Sequence, residues 1–147
     1  MENNLIIEKM TTSDLNQIAD ILETDFDDFW NYNILKNELE TESSYYCVCK
    51  INTEIIGFAG ISIILDIAEI NNIVVKKCYR GKGFSNFILE NLINIAKKSK
   101  CKTINLEVSS INTIAINLYK KYGFKQVGLR KKYYKNSDAL LFSKEIH

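Results

Sequence analysis

The chain has 147 residues, and 46% of them are hydrophobic, which is enough for one domain to bury a core without disulfides or a metal ion. Its only histidine is the last residue, His147, so a Ser-His-Asp triad, a Cys-His pair or a histidine-rich zinc site would depend on a fraying terminus. Those chemistries are not expected, and we predict a single domain over residues 1–147 with no metal.

The N-terminus and the cysteines bear on the compartment. The segment MENNLIIEKM has no basic region leading into a long apolar run, and no stretch approaches the roughly 20 apolar residues that span a bilayer. No C-x-x-C pair occurs among the four cysteines, which are Cys47, Cys49, Cys78 and Cys101. We therefore expect a cytoplasmic protein with reduced cysteines and no membrane partner.

The formal net charge is only +1, but the two signs are segregated along the chain. Residues 14–42 are rich in aspartate and glutamate, with Lys36 as their single base, whereas residues 76–102 and 120–135 are rich in lysine and arginine. This pattern favours an anionic ligand toward the C-terminal part and a cationic one toward the N-terminal part. Ordinary solvated helix faces would produce the same runs, so both interpretations stay open.

Hydrophobic spacing predicts the elements in chain order. They are a strand at 5–9, a helix capped by Thr12 or Ser13 and reaching Leu22, a helix over 31–40, strands at 45–51, 55–64 and 68–75, a helix over 82–99, a strand at 103–109, a helix from Asn112 to Gly123, and strands at 124–134 and 138–146. The order β-α-α-β-β-β-α-β-α-β-β describes an α/β (α+β) fold in which a central mixed sheet carries helices on both faces.

The segment INNIVVKKCYRGKGFSNFIL joins a buried type of strand, a short basic loop with two glycines and the start of an amphipathic helix. Free N–H groups and the positive dipole end at a helix N-terminus bind anions, and glycines let a phosphate approach the backbone. Two nucleotide-binding motifs do not fit, because Gly81-Lys82-Gly83 completes neither G-x-x-x-x-G-K-S/T nor G-x-G-x-x-G. The loop therefore predicts a different phosphate-binding site.

This loop resembles the pyrophosphate loop of the GNAT acetyltransferase superfamily, Q/R-x-x-G-x-G/A. The run from Arg80 to Ser85 matches except at Ser85, a small residue where Gly or Ala is usual. Residues 112–124 match a second family pattern, N-x-x-A-x-x-L-Y-x-x-x-G-F, and the predicted element order is that of the family. The resemblance implies the GNAT-type acyl-CoA N-acyltransferase fold, acetyl-CoA as co-substrate and transfer of an acetyl group to a primary amine.

Within the superfamily the chain is most similar to the RimI-type N-terminal protein acetyltransferases, which modify the terminal alanine of a ribosomal protein. The strand NIVV at 72–75, the strand NLEV at 105–108 and the ending LRKKYYKNSDAL at 129–140 carry this resemblance. The family's prolines after the first strand and after the tyrosine pair are absent, and Ser109 replaces a common arginine. These departures lie in loops on the acceptor side.

Acetyl transfer needs a base for the amine and an acid for the departing thiolate. Glu107 lies on the polar face of the strand at 103–109, where it can accept a proton directly or through water. Tyr119 resembles the family's tyrosine that protonates the sulfur of coenzyme A. The alternatives are a solvated strand residue for Glu107 and core packing for Tyr119.

The resemblance also implies the binding residues. The cofactor set is Ile73, Val74, Val75, Arg80, Gly81, Lys82, Gly83, Phe84, Ser85 and Asn112. The backbone N–H groups of Ile73 and Val75 would follow the pantetheine arm and the thioester carbonyl, and Asn112 is also a helix cap by type. The acceptor set is Trp30, Tyr133 and Tyr134, although paired aromatics in a strand are as often packing residues.

Three functions remain open from the sequence. The favoured one is an N-terminal protein acetyltransferase acting on a ribosomal protein; the others are a small-molecule amine (polyamine or antibiotic) acetyltransferase and a non-catalytic acetyl-CoA-binding module. Glu107 with Tyr119 argues against a mere binding module. The basic tract around Tyr133 and Tyr134 is too short to predict a nucleic-acid partner.

Overall fold

The computed structural model describes residues 4–26, 31–134 and 136–146, except the side chain of Tyr134. The strands are β1 Leu5–Lys9, β2 Ser44–Ile51, β3 Glu54–Ile64, β4 Ile67–Val75, β5 Thr103–Ser109, β6 Lys125–Tyr134 and β7 Ser137–Glu145. The α-helices are α1 Thr12–Ile18, α2 Tyr32–Glu40, α3 Phe84–Lys98 and α4 Thr113–Lys121. The predicted element order is confirmed, and a short π-helical turn at Leu22–Phe26 and a 3-10 turn at Lys77–Tyr79 add to it.

The seven strands form one mixed sheet in the order β1-β2-β3-β4-β5-β7-β6. The β4–β5 pair is parallel, and it joins Ile67–Glu69 to Thr103–Asn105. The pairs β1–β2, β2–β3, β5–β7 and β6–β7 are antiparallel. The predicted mixed sheet is therefore confirmed, with β7 inserted between β5 and β6.

One compact unit comprises Met1–Ser62 and Asn71–Asn94. Its apolar core joins α1, the π-helical turn and α2 to strands β2, β3 and β4 through Leu15, Ile18, Leu22, Phe26, Leu35, Tyr46, Val48, Phe58 and Val74. The cap of α1 is Thr11, whose side chain accepts from the Asp14 N–H while the Asp14 carboxylate accepts from the Thr11 N–H. The prediction of Thr12 or Ser13 was wrong by one or two residues, because Asp14 completes a capping box only with Thr11.

The second compact unit comprises Ile63–Ile70 and Ile95–His147. In β5 the alternate side chains of Ile104, Leu106 and Val108 are buried, whereas Asn105 and Glu107 between them are half-buried on the opposite face. This alternation confirms the period-two pattern read from the sequence. It places the polar residues of β5 together on one face of the sheet.

None of the helices in the described residues is both long and apolar enough to cross a membrane. The four cysteines are free, and Cys47, Cys49 and Cys101 are buried.

Gly60 makes room for a buried tyrosine ring in the first unit. Gly60 pairs with Tyr46 across β2 and β3, and a Cβ at Gly60 would lie 2.2 Å from a ring carbon of Tyr46. The Tyr46 hydroxyl donates to Glu38 at 3.2 Å, so the ring is held at both ends. Any side chain at position 60 must displace this ring.

Gly60→Ala is expected to lower the free energy of unfolding by about 1–3 kcal/mol, because overpacking forces the Tyr46 ring off its position. Urea denaturation checks this. In a Tyr46→Ala background the ring is absent, so the same change at Gly60 should cost much less. An equal cost in both backgrounds would contradict the account.

Candidate active site

The end of β4 presents backbone N–H groups at the edge away from β3. The Lys76 N–H donates to the Ile56 carbonyl of β3 at 2.7 Å, and successive N–H groups of a strand point to opposite sides. The N–H groups of Val75 and Ile73 therefore point away from β3, whereas that of Val74 points toward it. The Ile73 N–H donates to its neighbour Asn72 Oδ1 at 2.8 Å, a local contact that a ligand can replace.

The loop after β4 has its glycines where glycine is required. Gly81 and Gly83 have φ angles of 79° and 87°, in the left-handed region that favours glycine. A Cβ built at either position meets nothing within 4 Å, so the space beside the loop is open. Phe84 and Ser85 then form the first turn of α3, where N–H groups lack intrahelical acceptors. Loop and helix start together fit an anionic group.

Arg80 contacts the protein backbone. Its Nε donates to the Val75 carbonyl at 2.8 Å, and its Nη2 donates to the Phe26 carbonyl. The guanidinium thus joins the end of β4 to the end of the π-helical turn. Binding of the cofactor by Arg80 stays a prediction.

Lys82 also contacts protein. Its ammonium lies 5.8 Å from the ring centroid of Tyr79, whose hydroxyl donates to Glu54 at 2.8 Å. The ring of Phe84 packs edge-on against Tyr79 at 6.0 Å. Because both cationic side chains of the loop have protein partners, the backbone is the part best placed to hold a phosphate.

Glu107 lies in a cleft of about 290 Å³ on the polar face of the second unit's strands. The cleft is lined by Glu69, Asn105, Leu106, Glu107, Val127, Arg130, Leu141, Phe142 and Ser143. The Glu107 Oε2 is 3.2 Å from Arg130 Nη1, and only 25% of the Glu107 side chain is exposed. Glu107 is therefore a partly buried, ion-paired carboxylate and not a freely solvated strand residue.

Tyr119 is buried in α4, with 8% of its surface exposed. Burial raises the pKa of Tyr119 to about 12, and the phenol is protonated at neutral pH both with this pKa and with the ordinary value of about 10. Its ring packs edge-on against Phe124 at 5.8 Å, which agrees with the core-packing alternative. Its hydroxyl, however, has no hydrogen-bond partner among the residues that the structure describes. Most buried polar side-chain atoms have a hydrogen-bond partner, so packing alone does not account for a tyrosine at this position.

The remaining predicted residues are Asn112 of the cofactor set and Trp30, Tyr133 and Tyr134 of the acceptor set. Asn112 caps α4 by accepting from the Ala115 N–H at 3.1 Å, so its predicted cap role is confirmed while its contact with a cofactor stays a prediction. Tyr133 is 56% exposed, and its ring centroid lies 5.4 Å from Arg130 Cζ. Trp30 and the side chain of Tyr134 lie outside the described residues. Across those same described ranges no group of His, Cys, Asp and Glu side chains has the geometry of a metal site.

Arg130 is the residue at this site that sequence reasoning missed. In the sequence, Arg130 is noted only as part of the segment LRKKYYKNSDAL, and no role is predicted for it. Its ion pair with Glu107 depends on β7 lying between β5 and β6, and no pattern within β6 reveals that order.

Comparisons with known proteins show which family and which proteins this chain resembles. A model described as the Acetyltransferase (GNAT) family matches residues 15–124. N-alpha-acetyltransferase RimI of Mycobacterium tuberculosis (strain ATCC 25618 / H37Rv) is 30% identical over 136 residues, which cover 88% of this chain and 84% of the relative. Ribosomal protein bS18-alanine N-acetyltransferase of Haemophilus influenzae is 37% identical over 107 residues, with 71% and 70% covered. The crystal structure of the ribosomal-protein-S18-alanine N-acetyltransferase from Escherichia coli matches with a TM-score of 0.88 and 28% identity over 97% of this chain and 94% of that one.

Replacing Gly83 with valine is expected to weaken CoA binding about tenfold or more, because a β-branched residue resists a left-handed backbone and narrows the approach to the loop N–H groups. Lys82→Ala removes a charge but leaves the backbone, so its effect should be clearly smaller. Calorimetric titration with CoA measures both, with thermal unfolding as the control for folding. Unchanged affinity in the Gly83 variant would argue against this loop as the pyrophosphate site.

Proposed function

Because the chain belongs to the acetyltransferase (GNAT) family, we propose that it transfers the acetyl group of acetyl-CoA to a protein N-terminus, the terminal alanine of ribosomal protein bS18. Enzymes of this family are acetyl-CoA-dependent N-acetyltransferases, and this chain is an enzyme of that class. The acceptor is proposed from relatives that are named for acetylation of that alanine and that share most of their length with this chain. The observation that carries the chemistry is the ion-paired Glu107 in its cleft.

The proposal includes one N-acetyltransferase domain, residues 1–147, working in the cytoplasm. The matched residues 15–124 include parts of both compact units, which supports a single functional domain. Four free cysteines suit a reducing compartment.

Acetyl-CoA supplies the thioester when it is bound, and the chain's own backbone supplies most of the contacts proposed for it. The open loop at Gly81–Gly83 and the first turn of α3 hold the pyrophosphate by N–H groups. The outward N–H groups of Ile73 and Val75 hydrogen-bond the pantetheine arm as an added strand would, and they stabilise negative charge on the carbonyl oxygen.

The proton steps fall to Glu107 and Tyr119. An α-amino group has an ordinary pKa of about 7.7–8, so the acceptor must lose a proton as its nitrogen forms the new amide bond. The Glu107 carboxylate accepts that proton, directly or through water, while the bond from the acetyl carbon to sulfur breaks. The Tyr119 phenol, which stays protonated at neutral pH, donates its proton to the departing sulfur.

Glu107→Gln and Tyr119→Phe are each expected to lower kcat by about 10²–10⁴, the usual contribution of an acid or base. CoA affinity should be retained in both. The Tyr119→Phe variant should be at least as stable as the native protein, because the ring still packs on Phe124 and the hydroxyl it loses has no described partner.

Steady-state kinetics on an alanine-terminated peptide tests this pair, and Tyr122→Phe, at the C-terminal end of the same helix, is the matched control that should keep native turnover. Native turnover in both the Glu107 and Tyr119 variants would refute the mechanism.

The acceptor is expected to be a peptide that begins with alanine and carries arginine or lysine within a few positions. Asp25 lies in the π-helical turn, and Asp27 and Asp28, outside the described residues, follow it. Changing all three to asparagine should raise the KM for a basic peptide about threefold or more at low salt, and the effect should fade as salt screens these charges. The KM for acetyl-CoA should not change.

Kinetics with an Ala-Arg peptide and an uncharged counterpart, each at low and high salt, measures this effect. Equal use of both peptides without salt dependence would remove the electrostatic argument. Preference for a free polyamine would identify a small-molecule acetyltransferase, and CoA binding without any transfer would identify a binding module.

A further inference from the structure

We propose that Arg130 is a positioning residue for acetyl transfer, which holds the Glu107 carboxylate in one orientation in the cleft and is itself held by the ring of Tyr133. The proposal rests on the proposed function of Glu107 as the base. It gives strand β6 a role in orienting the base, in addition to the acceptor contacts predicted for its tyrosines.

The ion pair restricts a carboxylate that the strand alone leaves free to rotate. Glu107 reaches Arg130 through Oε2 at 3.2 Å, and 25% of the Glu107 side chain is exposed against 53% of the Arg130 side chain. The ion pair is a single contact between Nη1 and Oε2, and attraction to the charged guanidinium favours orientations of the carboxylate that keep Oε2 beside Arg130. With Oε2 engaged by Arg130, Oε1 is the oxygen we assign to the proton of the amine.

Arg130 reaches Glu107 across an intervening strand. Glu107 pairs with Leu141 of β7, and Arg130 pairs with Ala139 of the same strand. Arg130 and Leu141 both line the cleft, so the guanidinium extends over the apolar surface of β7 toward β5. The contact therefore requires the observed strand order and register.

A bulge in β6 determines how the residues that follow Arg130 are placed. The register against β7 shifts between Arg130 and Tyr134, and Lys132 has a φ of 50°. The Lys132 N–H donates to Asp138 Oδ1 at 2.7 Å, and the Asp138 N–H donates to Ser110 Oγ at 3.2 Å. Bulges of this kind redirect side chains near active sites. Asp138 thus pins the bulge that carries Tyr133.

The ring of Tyr133 completes the arrangement. Its centroid lies 5.4 Å from Arg130 Cζ, within the range of a cation–π interaction. Arg130 therefore contacts an aromatic ring as well as the Glu107 carboxylate. An arginine already packed on a ring loses less freedom when it orients a carboxylate, which suits a positioning role.

Stability and turnover separate this role from a structural one. More than half of the Arg130 side chain is exposed, so loss of Arg130 should lower the free energy of unfolding by about 1 kcal/mol or less. A misplaced base, in contrast, slows the chemical step. The expected signature is a fall in kcat with little change in stability or in the KM for acetyl-CoA.

The test compares Arg130→Gln, Arg130→Lys and Lys125→Gln in the full chain, with an alanine-terminated peptide and acetyl-CoA. Arg130→Gln should lower kcat roughly tenfold or more, and Arg130→Lys should restore part of the loss because it keeps the charge but not the fork. Lys125→Gln removes an exposed charge from the first residue of the same strand and should be native. A change confined to the KM for the peptide would overturn the proposal, because it would make Arg130 a substrate contact.

A double-mutant cycle with Glu107→Gln separates this proposal from the proposed function. If Arg130 acts through Glu107, Arg130→Gln should cause no further loss of kcat in the Glu107→Gln background. Equal losses in both backgrounds would overturn the positioning role. A slow Glu107 variant beside a native Arg130→Gln variant would leave the base in place and refute this inference alone, whereas a native Glu107→Gln variant would refute both.

Discussion

The antiparallel ladder between β5 and β7 is the constraint on which the candidate site depends. It runs from Thr103 opposite Glu145 to Ser109 opposite Ala139, and it sets Glu107 opposite Leu141. Because side chains alternate along a strand, this register decides that Ile104, Leu106 and Val108 enter the core while Glu107 faces the cleft. A slip of one residue would bury the carboxylate and expose the core, so the register that builds the core also places the proposed base in the cleft.

The loop proposed to bind the pyrophosphate uses its side chains and its backbone differently. Its two cationic side chains contact protein, since Arg80 binds backbone carbonyls and Lys82 lies over Tyr79. The backbone at Gly81 and Gly83 is open and left-handed. Such a loop recognises the charge and shape of a phosphate through dipoles that are already oriented, and its cations hold the loop in place.

At Tyr119, in contrast, the side-chain group proposed for the chemistry does not stabilise the fold. A buried hydroxyl that has no partner among the described residues costs about 1–3 kcal/mol, and phenylalanine would pack against Phe124 equally well. The same burial raises the pKa of Tyr119 to about 12, and the phenol is protonated at neutral pH as an exposed tyrosine would also be. The proton donation proposed for Tyr119 would account for a tyrosine at this position.

The sequence by itself determined the element order, the mixed sheet, the glycine positions of the basic loop and, through the family resemblance, Glu107 and Tyr119 as the pair to examine. These features follow from local patterns, such as the alternation in residues 103–109 and the glycines at 81 and 83, which are set by neighbours along the chain. Only the tertiary structure decided the capping of α1 by Thr11, the carbonyl contacts of Arg80 and the meeting of Arg130 with Glu107. The cap depends on which residue has the extended backbone angles that precede the helix, and that residue is Thr11. The other contacts depend on the packing of segments distant in sequence. Arg130 meets Glu107 because β7 enters the sheet between their strands, and strand order is settled by the packing of the whole sheet and not by any pattern within one strand.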